Sequence, residues 1–313
     1  MSFSSLNLDD RLLSGLITAG YETATPIQMA AIPALLSGKD VMAGAQTGTG
    51  KTAAFALPIL HQLLAIREQN PLASDEIQPL RALVLVPTRE LAQQVYKSFV
   101  KYGDDSGLTS AIAYGGVSIN SQVNALTEGV DILVATPGRL LDLMHKGAVS
   151  LSKLQFLVFD EADRMLDMGF IHDIKRIISL LPKRRQNLMF SATFSDDIRK
   201  LAKGLVSNPI EISVTPRNAT APTVTQSIYT VDKKQKAAVL TRLIHDNSWG
   251  QALVFTKTKH GANKLTEQLN TDGITAAAIH GNKTQNARTK ALAGFKSGSV
   301  RVLVATDIAA RGL

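Results

Sequence analysis

The stretch VMAGAQTGTGKTAAFALPIL, residues 41–60, indicates the fold of the whole chain. Its first five residues, Val41–Ala45, form a short apolar run typical of a buried strand, and the following Lys51–Ile66 has the composition of a helix. Between them, Gly48 and Gly50 allow backbone N–H groups to curl around an anion at the start of the helix. A strand, a glycine-rich loop ending in Lys-Thr and a helix together predict a phosphate-binding loop.

This loop is expected to bind the phosphates of a nucleotide. The Lys51 ammonium would reach the β- and γ-phosphates, and the Thr52 hydroxyl would bind Mg²⁺. Ala45 occupies the position of the first glycine of the pattern, which the looser form of the motif permits. The residues assigned to the nucleotide are Ala45, Gln46, Thr47, Gly48, Thr49, Gly50, Lys51 and Thr52.

Short apolar runs alternate with helix-length stretches along the rest of the chain. In the first two thirds the strand-like runs are Val41–Ala45, Ala82–Val86, Ser110–Tyr114, Asp131–Ala135, Phe156–Asp160, Leu188–Ser191 and Glu211–Val214. In the last third they are Thr225–Val231, Ala252–Thr256, Thr275–Ile279 and Arg301–Ala305. Apolar strands that alternate with helices predict an α/β fold with parallel sheets covered on both faces.

A polar segment with two prolines separates the two series. Thr215–Thr223, sequence TPRNATAPT, has no apolar periodicity and is typical of a linker. We therefore predict a first domain over residues 1–207, a linker over 208–223 and a second domain over 224–313. A chain of 313 residues suits two domains of ordinary size.

Composition excludes several classes of protein. The chain has no cysteine, which excludes disulfide frameworks and thiolate chemistry, and no apolar run approaches the length of a membrane span. The start lacks the features of a signal peptide, so a cytoplasmic location is expected. The net charge of +8 lies entirely in residues 208–313, which hold 14 Lys/Arg against 6 Asp/Glu. This suggests a polyanionic partner, although a solvated basic surface is the alternative.

An acidic tetrapeptide follows one of the predicted strands. Asp160-Glu161-Ala162-Asp163 comes directly after the apolar run 156–159. A carboxylate at this strand end is placed to hold Mg²⁺ through water, and Glu161 to deprotonate an attacking water. Taken alone, such a tetrapeptide is more often the start of a helix with acidic first-turn residues.

The phosphate loop and the acidic tetrapeptide, in this order, resemble the motifs of DEAD-box ATP-dependent RNA helicases, and residues 1–60 resemble the bacterial RhlE-like subgroup. The resemblance implies two RecA-like domains of the P-loop NTPase type, the second incomplete. It also implies Mg²⁺ and ATP as cofactors and RNA as the partner, with unwinding coupled to ATP hydrolysis. Lys51, Asp160 and Glu161 are the expected catalytic residues.

The resemblance assigns an adenine-recognition element to about residues 3–28. The Gln28 amide offers both a donor and an acceptor, which suits the edge of adenine, and Tyr21 is expected to stack on its ring. Phe3 lies upstream in the same element.

Further residues are assigned to RNA and to coupling. Those expected at the sugar–phosphate backbone are Pro87, Thr88, Arg89, Gly116, Thr136, Pro137, Gly138 and Arg139 in the first domain and Arg288 and Thr306 in the second. The alternative for Thr88 and Thr136 is helix capping, and both roles can hold together because a helix N-terminus is also an anion site. Those expected to link hydrolysis to strand separation are Asp163, Ser191, Thr193 and Arg311.

The chain ends at Leu313, inside the last family motif. The expectation is therefore a fragment of a longer helicase that lacks an arginine-rich motif needed for efficient hydrolysis. Two other functions stay open: a non-catalytic, ATP-gated RNA-binding module, and a DNA helicase. Ribosomal or RNA-decay proteins are expected as partners.

Overall fold

The computed structural model describes residues 2–18, 20–45, 48–71, 73, 76–214 and 225–307. The chain divides into two compact units, Met1–Ala219 and Thr220–Leu313, each with its own parallel sheet. Within the described ranges, no helix is both long and apolar enough to cross a membrane.

The described residues of the first unit form one parallel sheet of seven strands. The strands are β1 Val41–Gly44, β2 Ala82–Leu85, β3 Ser110–Ala113, β4 Ile132–Ala135, β5 Phe156–Asp160, β6 Gln186–Ser191 and β7 Ile210–Ser213. Their order in the sheet is β3-β4-β2-β5-β6-β1-β7, and every neighbouring pair is parallel. The predicted strands of this part of the chain are confirmed, with ends that differ by one or two residues.

Helices cover both faces of this sheet because successive strand side chains point to opposite sides. Along β1, Val41 and Ala43 face one apolar core and Met42 faces the other. The helices of the first core are α1 Asp10–Thr18, α2 Pro26–Leu36, α3 Lys51–Gln69 and α4 Arg89–Tyr102. Those of the second are α5 Ile119–Thr127, α6 Pro137–His145, α7 Ala162–Asp167, α8 Ile171–Ser179 and α9 Asp196–Lys203.

The strand order divides the loops at the carboxyl edge of the sheet into two groups. The adjacent strands β5, β6 and β1 bring the acidic tetrapeptide, Ser191 and the phosphate loop together, with Gly44 in register with Ser191. The adjacent strands β3, β4 and β2 bring together the loops that contain Gly116, Thr136 and Arg89. Ligands bind at this edge in open parallel sheets.

The second unit has a smaller sheet within its described residues. Its strands are β8 Ala252–Phe255, β9 Ala276–Ile279 and β10 Val302–Ala305, which lie in the order β8-β10-β9 and are parallel. Its helices are α10 Lys236–Asp246, α11 Lys259–Thr271 and α12 Gln285–Lys296. One apolar core lies under α10 and α11, and another under α12.

The strand predicted over Thr225–Val231 is wrong. The segment has no regular secondary structure, and Ile228 is 96% exposed. A β-branched run forms a strand only where a neighbouring strand accepts its backbone hydrogen bonds, and no described strand does so here. The linker prediction also begins too early, because β7 lies inside the range 208–223 and pairs with β1. Residues 215–224 lie outside the described part of the chain.

Candidate functional site

The phosphate loop leaves β1 and enters α3 through two glycines in the left-handed region. Gly48 has φ +85° and Gly50 has φ +91°, and Gly50 is the N-cap residue of α3. Ala45 is buried, and its N–H donates to the carbonyl of Ser191 on β6 at 3.1 Å. A Cβ at Gly48 would contact nothing within 4 Å, so the loop leaves space on that side. Gln46 and Thr47 lie outside the described residues.

Lys51 and Asp160 place opposite charges in the interior beside this loop. They are 7% and 2% exposed, and neither Lys51 Nζ nor Asp160 Oδ1 has a hydrogen-bond partner among the described residues. Burial raises the pKa of Asp160 to about 6, and the nearby Lys51 ammonium opposes this rise. Two buried polar atoms without hydrogen bonds provide a place for a ligand with its own charges.

This donor set fits Mg²⁺ held together with a nucleotide. The free carboxylate oxygen of Asp160 and the half-buried Thr52 at the start of α3 supply hard oxygen atoms, which Mg²⁺ prefers. No cluster of three His, Asp or Glu side chains that could hold a metal by itself occurs among the described residues.

Glu161 follows directly in an unusual backbone conformation. It is the N-cap residue of α7 with φ +57°, and its side chain is 5% exposed. Its Oε2 accepts a hydrogen bond from Arg164 Nη1 at 2.9 Å. Sequence reasoning missed Arg164, although the spacing of three residues on a helix is a signal for such an ion pair.

Three of the four residues predicted for coupling form one hydrogen-bonded network. Asp163 Oδ2 accepts from both the backbone N–H and the hydroxyl of Thr193, each at 3.0 Å. The Asp163 N–H donates to Ser191 Oγ at 3.3 Å, and Ser191 Oγ donates to the Thr193 carbonyl at 2.7 Å. The strand ends of β5 and β6 are thus tied together by side chains. Arg311 lies outside the described residues.

Gln28 connects the start of α2 to the phosphate loop. Its Oε1 accepts from the Thr25 N–H at 2.8 Å, and its Nε2 donates to the Gly50 carbonyl at 3.1 Å. The side chain is fully buried. The sequence assigned this amide to adenine; that assignment stays a prediction, and the structure adds a contact with the loop that pattern reasoning did not foresee.

Tyr21 is 38% exposed and packs between two other aromatic rings. Its ring lies 6.5 Å from that of Phe3 and 5.8 Å from that of Tyr102, both in edge-to-face arrangements. Tyr102 was missed by sequence reasoning because it lies 81 residues away at the end of α4.

The second group of loops contains the first-unit residues assigned to RNA. Thr88 caps α4 by accepting from the Leu91 N–H at 3.2 Å, which confirms the capping alternative for this residue. Thr136 is the N-cap residue of α6 with Pro137 in the first turn, but its side chain makes no capping hydrogen bond. The Arg89 guanidinium lies against Gly116, where any Cβ would overlap with it. Pro87 lies in the loop beside Thr88, and Gly138 lies in the first turn of α6 after Thr136.

The Arg139 guanidinium is hydrogen-bonded to other groups of the protein. Its Nη1 donates to Gln122 Oε1 at 2.9 Å and its Nη2 to the Val117 carbonyl at 3.0 Å. The side chain is only 9% exposed. These bonds connect α6 to α5 and to the loop that contains Gly116, which gives Arg139 a structural role. The direct RNA contact expected for Arg139 stays a prediction.

In the second unit, predicted Thr306 directly follows β10, and predicted Arg288 lies in the first turn of α12, near His280 at the end of β9. His280 Nε2 is hydrogen-bonded to Asn263 Oδ1 at 2.9 Å, and burial together with Lys283, Lys259 and Arg288 lowers its pKa. Arg288 on α12 is 9% exposed, and Thr306 follows β10, with its N–H donating to the Ile279 carbonyl. Several cations therefore surround one strand end, which is an arrangement suited to phosphate.

Two family models match the chain: the DEAD/DEAH box helicase model over residues 25–201 and the helicase conserved C-terminal domain model over residues 235–313. The chain is 43% identical over its whole length to the DEAD-box ATP-dependent RNA helicase CshA of Bacillus cereus and 42% identical to that of Streptococcus pneumoniae. It spans about 58% of the length of each.

Solved structures agree with these matches. S. cerevisiae Dbp5 bound to RNA and ADP BeF3 is 32% identical, with a TM-score of 0.85 over the whole chain and 77% of that protein. A DEAD box protein from Methanococcus jannaschii is 35% identical, with a TM-score of 0.62 over the whole chain and 82% of that protein. The chain has the two parallel-sheet α/β units of that fold and belongs to the DEAD/DEAH box helicase family.

Proposed function

We propose that this chain is the core of an ATP-dependent RNA helicase, which binds Mg²⁺ and ATP and remodels or locally unwinds RNA as it hydrolyses ATP to ADP and phosphate. One observation carries the proposal: buried Lys51 and Asp160 present a charged nitrogen and a charged oxygen, neither hydrogen-bonded to a described residue, beside a glycine loop at a helix N-terminus. A metal-bound polyphosphate satisfies both atoms at once.

The residues in the loops after β1 and β5 then have distinct roles. Lys51 neutralises the β- and γ-phosphates, and the N–H groups from Gly48 to Thr52 contact the phosphate oxygens. Thr52 and Asp160 hold Mg²⁺, which, when bound, neutralises the charge that develops on the phosphates. Glu161 orients the attacking water and accepts its proton. Tyr21 and Gln28 contact the adenine. Because Gln28 also donates a hydrogen bond to the Gly50 carbonyl, it connects the bound base to the phosphate loop.

The network of Asp163, Ser191 and Thr193 supports a role in coupling. It joins the segment after β5 to the end of β6 and its loop through three hydrogen bonds from Asp163, and a fourth bond links Ser191 to Thr193 within that loop. A change in the position of Asp163 during hydrolysis is therefore transmitted to the Thr193 loop.

The second group of loops, which follow β2, β3 and β4, supports the binding of an RNA backbone with little base specificity. Arg89 lies beside the open glycine loop at Gly116, and the N-termini of α4 and α6 point to the same edge. Arg288 and Thr306 supply phosphate contacts from the second unit. Preference for RNA comes from backbone shape and 2′-hydroxyl groups.

The wider assignments are proposals as well. The division into a first domain, a linker and a second domain is supported by the two compact units and by the two separate model matches. Membership of the RhlE-like subgroup rests on the pattern of residues 1–60. Ribosomal or RNA-decay partners and a cytoplasmic location are predictions that purification of the protein from its own cells would test.

ATP hydrolysis with RNA and with DNA of the same sequence tests the function. In the complete enzyme, we expect single-stranded RNA to stimulate hydrolysis and DNA to have little effect, and Glu161→Gln to retain ATP binding while turnover is lost. Equal stimulation by DNA would favour a DNA helicase. Tight, ATP-dependent RNA binding without any turnover would favour the binding module, and an unchanged rate in Glu161→Gln would refute the role of that residue.

A further inference from the structure

Three aromatic rings from distant parts of the chain meet in the first unit. Phe3 lies in a short turn at the N-terminus, Tyr21 between α1 and α2, and Tyr102 at the last position of α4. The rings of Phe3 and Tyr21 are inclined by 85°, and those of Tyr21 and Tyr102 by 75°. Edge-to-face contacts at such distances stabilise a fixed ring orientation beyond simple burial.

The two tyrosines also share a hydrogen bond. Tyr102 donates its hydroxyl to the Tyr21 hydroxyl oxygen at 3.1 Å. Burial raises the pKa of Tyr102, with the bond to Tyr21 as the next cause, so its hydroxyl keeps its proton and stays a donor. The hydroxyl of Tyr21 thus has a fixed neighbour, although much of its ring faces solvent.

Tyr102 is the rigid member of this pair. It is 3% exposed, and its neighbour Phe99 on α4 is 1% exposed. Helix α1 packs directly on this helix end: a Cβ at Gly15 would lie 3.0 Å from the Tyr102 carbonyl oxygen. The backbone at Tyr102 is therefore held against α1, and the side chain of Tyr102 is buried.

We propose that Tyr102 is a positioning residue for nucleotide recognition, which fixes the ring of Tyr21 in the orientation that stacks on the purine base. The inference rests on the proposed function, in which Tyr21 contacts the adenine of ATP. A ring ordered in the free protein loses less conformational entropy when it binds a base, so the hydrogen bond and the edge contact increase affinity without touching the ligand.

The test uses Tyr102→Phe, which keeps the ring and removes only the hydroxyl, and Tyr21→Phe, which removes the same bond from the other side. Tyr96→Phe is the matched control, since Tyr96 lies on the same helix and packs on the first core. Affinity is measured by displacement of fluorescent ADP with ATP and, separately, with inorganic tripolyphosphate, which has no base. We expect Tyr102→Phe and Tyr21→Phe to bind ATP about three- to tenfold more weakly, as befits one hydrogen bond, with tripolyphosphate unchanged.

The double variant Tyr21→Phe/Tyr102→Phe is expected to bind ATP no more weakly than Tyr102→Phe alone, because that single variant already removes the bond between the two hydroxyls. Wild-type ATP affinity in Tyr102→Phe, alongside a clear loss in Tyr21→Ala, would overturn the positioning role and leave the proposed function intact. Equal weakening of ATP and tripolyphosphate would show a merely structural effect and would also overturn it. Failure of the wild-type protein to bind ATP at all would instead refute the proposed function.

Discussion

Alanine at the two glycines of the phosphate loop should have clearly different costs. Both residues have positive φ, +85° at Gly48 and +91° at Gly50, so both substitutions force alanine into the left-handed region. A Cβ at Gly48 would meet no atom within 4 Å, whereas a Cβ at Gly50 would lie 2.5 Å from Gln28 Nε2 and 3.1 Å from Thr25 Oγ1. The pair therefore separates backbone strain from steric overlap.

The left-handed conformation costs alanine about 1–2 kcal/mol, which is the loss of stability expected for Gly48→Ala. In Gly50→Ala the fully buried Gln28 amide must also move, and it then loses its bonds to the Gly50 carbonyl and the Thr25 N–H. A buried polar group left unpaired costs about 1–3 kcal/mol. The expected total for Gly50→Ala is therefore about 2–5 kcal/mol.

Urea unfolding of the nucleotide-free protein, followed by far-UV circular dichroism, measures the difference. The fluorescence of Trp249, the only tryptophan of the sequence and part of the second unit, is an internal control that should not change. Adding Gln28→Ala to Gly50→Ala should recover part of the loss, because the overlapping amide is then absent. Equal destabilisation by the two glycine substitutions would refute the contact between Gln28 and the loop.

Other substitutions test single contacts. Asp160→Asn should stabilise the nucleotide-free protein at pH 7.5 by up to about 3 kcal/mol, because the pKa of Asp160 in the folded protein, about 6, lies above its ordinary value of 3.8. The cost of burying the ionised carboxylate grows between about pH 4 and 6, so urea unfolding should show that the gain disappears below about pH 4. A gain that does not depend on pH would contradict this. Thr193→Val removes the hydroxyl bond to Asp163, and we expect unchanged ATP affinity but fewer RNA strands displaced per ATP hydrolysed; proportional loss of both activities would argue against coupling. Gly129→Ala should lower stability by about 2 kcal/mol or more in thermal unfolding, because φ is +80° and a Cβ would lie 2.6 Å from the Gln78 carbonyl oxygen; an unchanged midpoint would exclude that contact.

The strands and motif loops of the first unit could be predicted because local patterns determine them. Buried parallel strands appear as continuous apolar runs, and the glycines and carboxylates at their ends follow directly in the sequence. The run Thr225–Val231 contains several residues of high strand propensity, yet it forms no strand, because no described neighbouring strand accepts its backbone hydrogen bonds.

The contacts of single side chains were not predictable in the same way. Arg139 shows this: its residue type and position suggest phosphate binding, but its guanidinium bonds to Gln122 and a backbone carbonyl across two helices. Gln28 likewise bonds to Gly50, 22 residues away. Such pairings depend on how elements pack, which no local spacing records.

By itself, the sequence determined the class of fold, the phosphate loop and the acidic strand end, because each depends on a short run of residues with fixed backbone requirements. The tertiary structure alone decided which loops are neighbours. It placed β5, β6 and β1 side by side, which created the bonds from Asp163 to Thr193, and it brought Tyr102 to Tyr21 from 81 residues away. The physical reason is that strand order and helix packing are set by burial of whole apolar faces, and not by the residues at the strand ends that carry the chemistry.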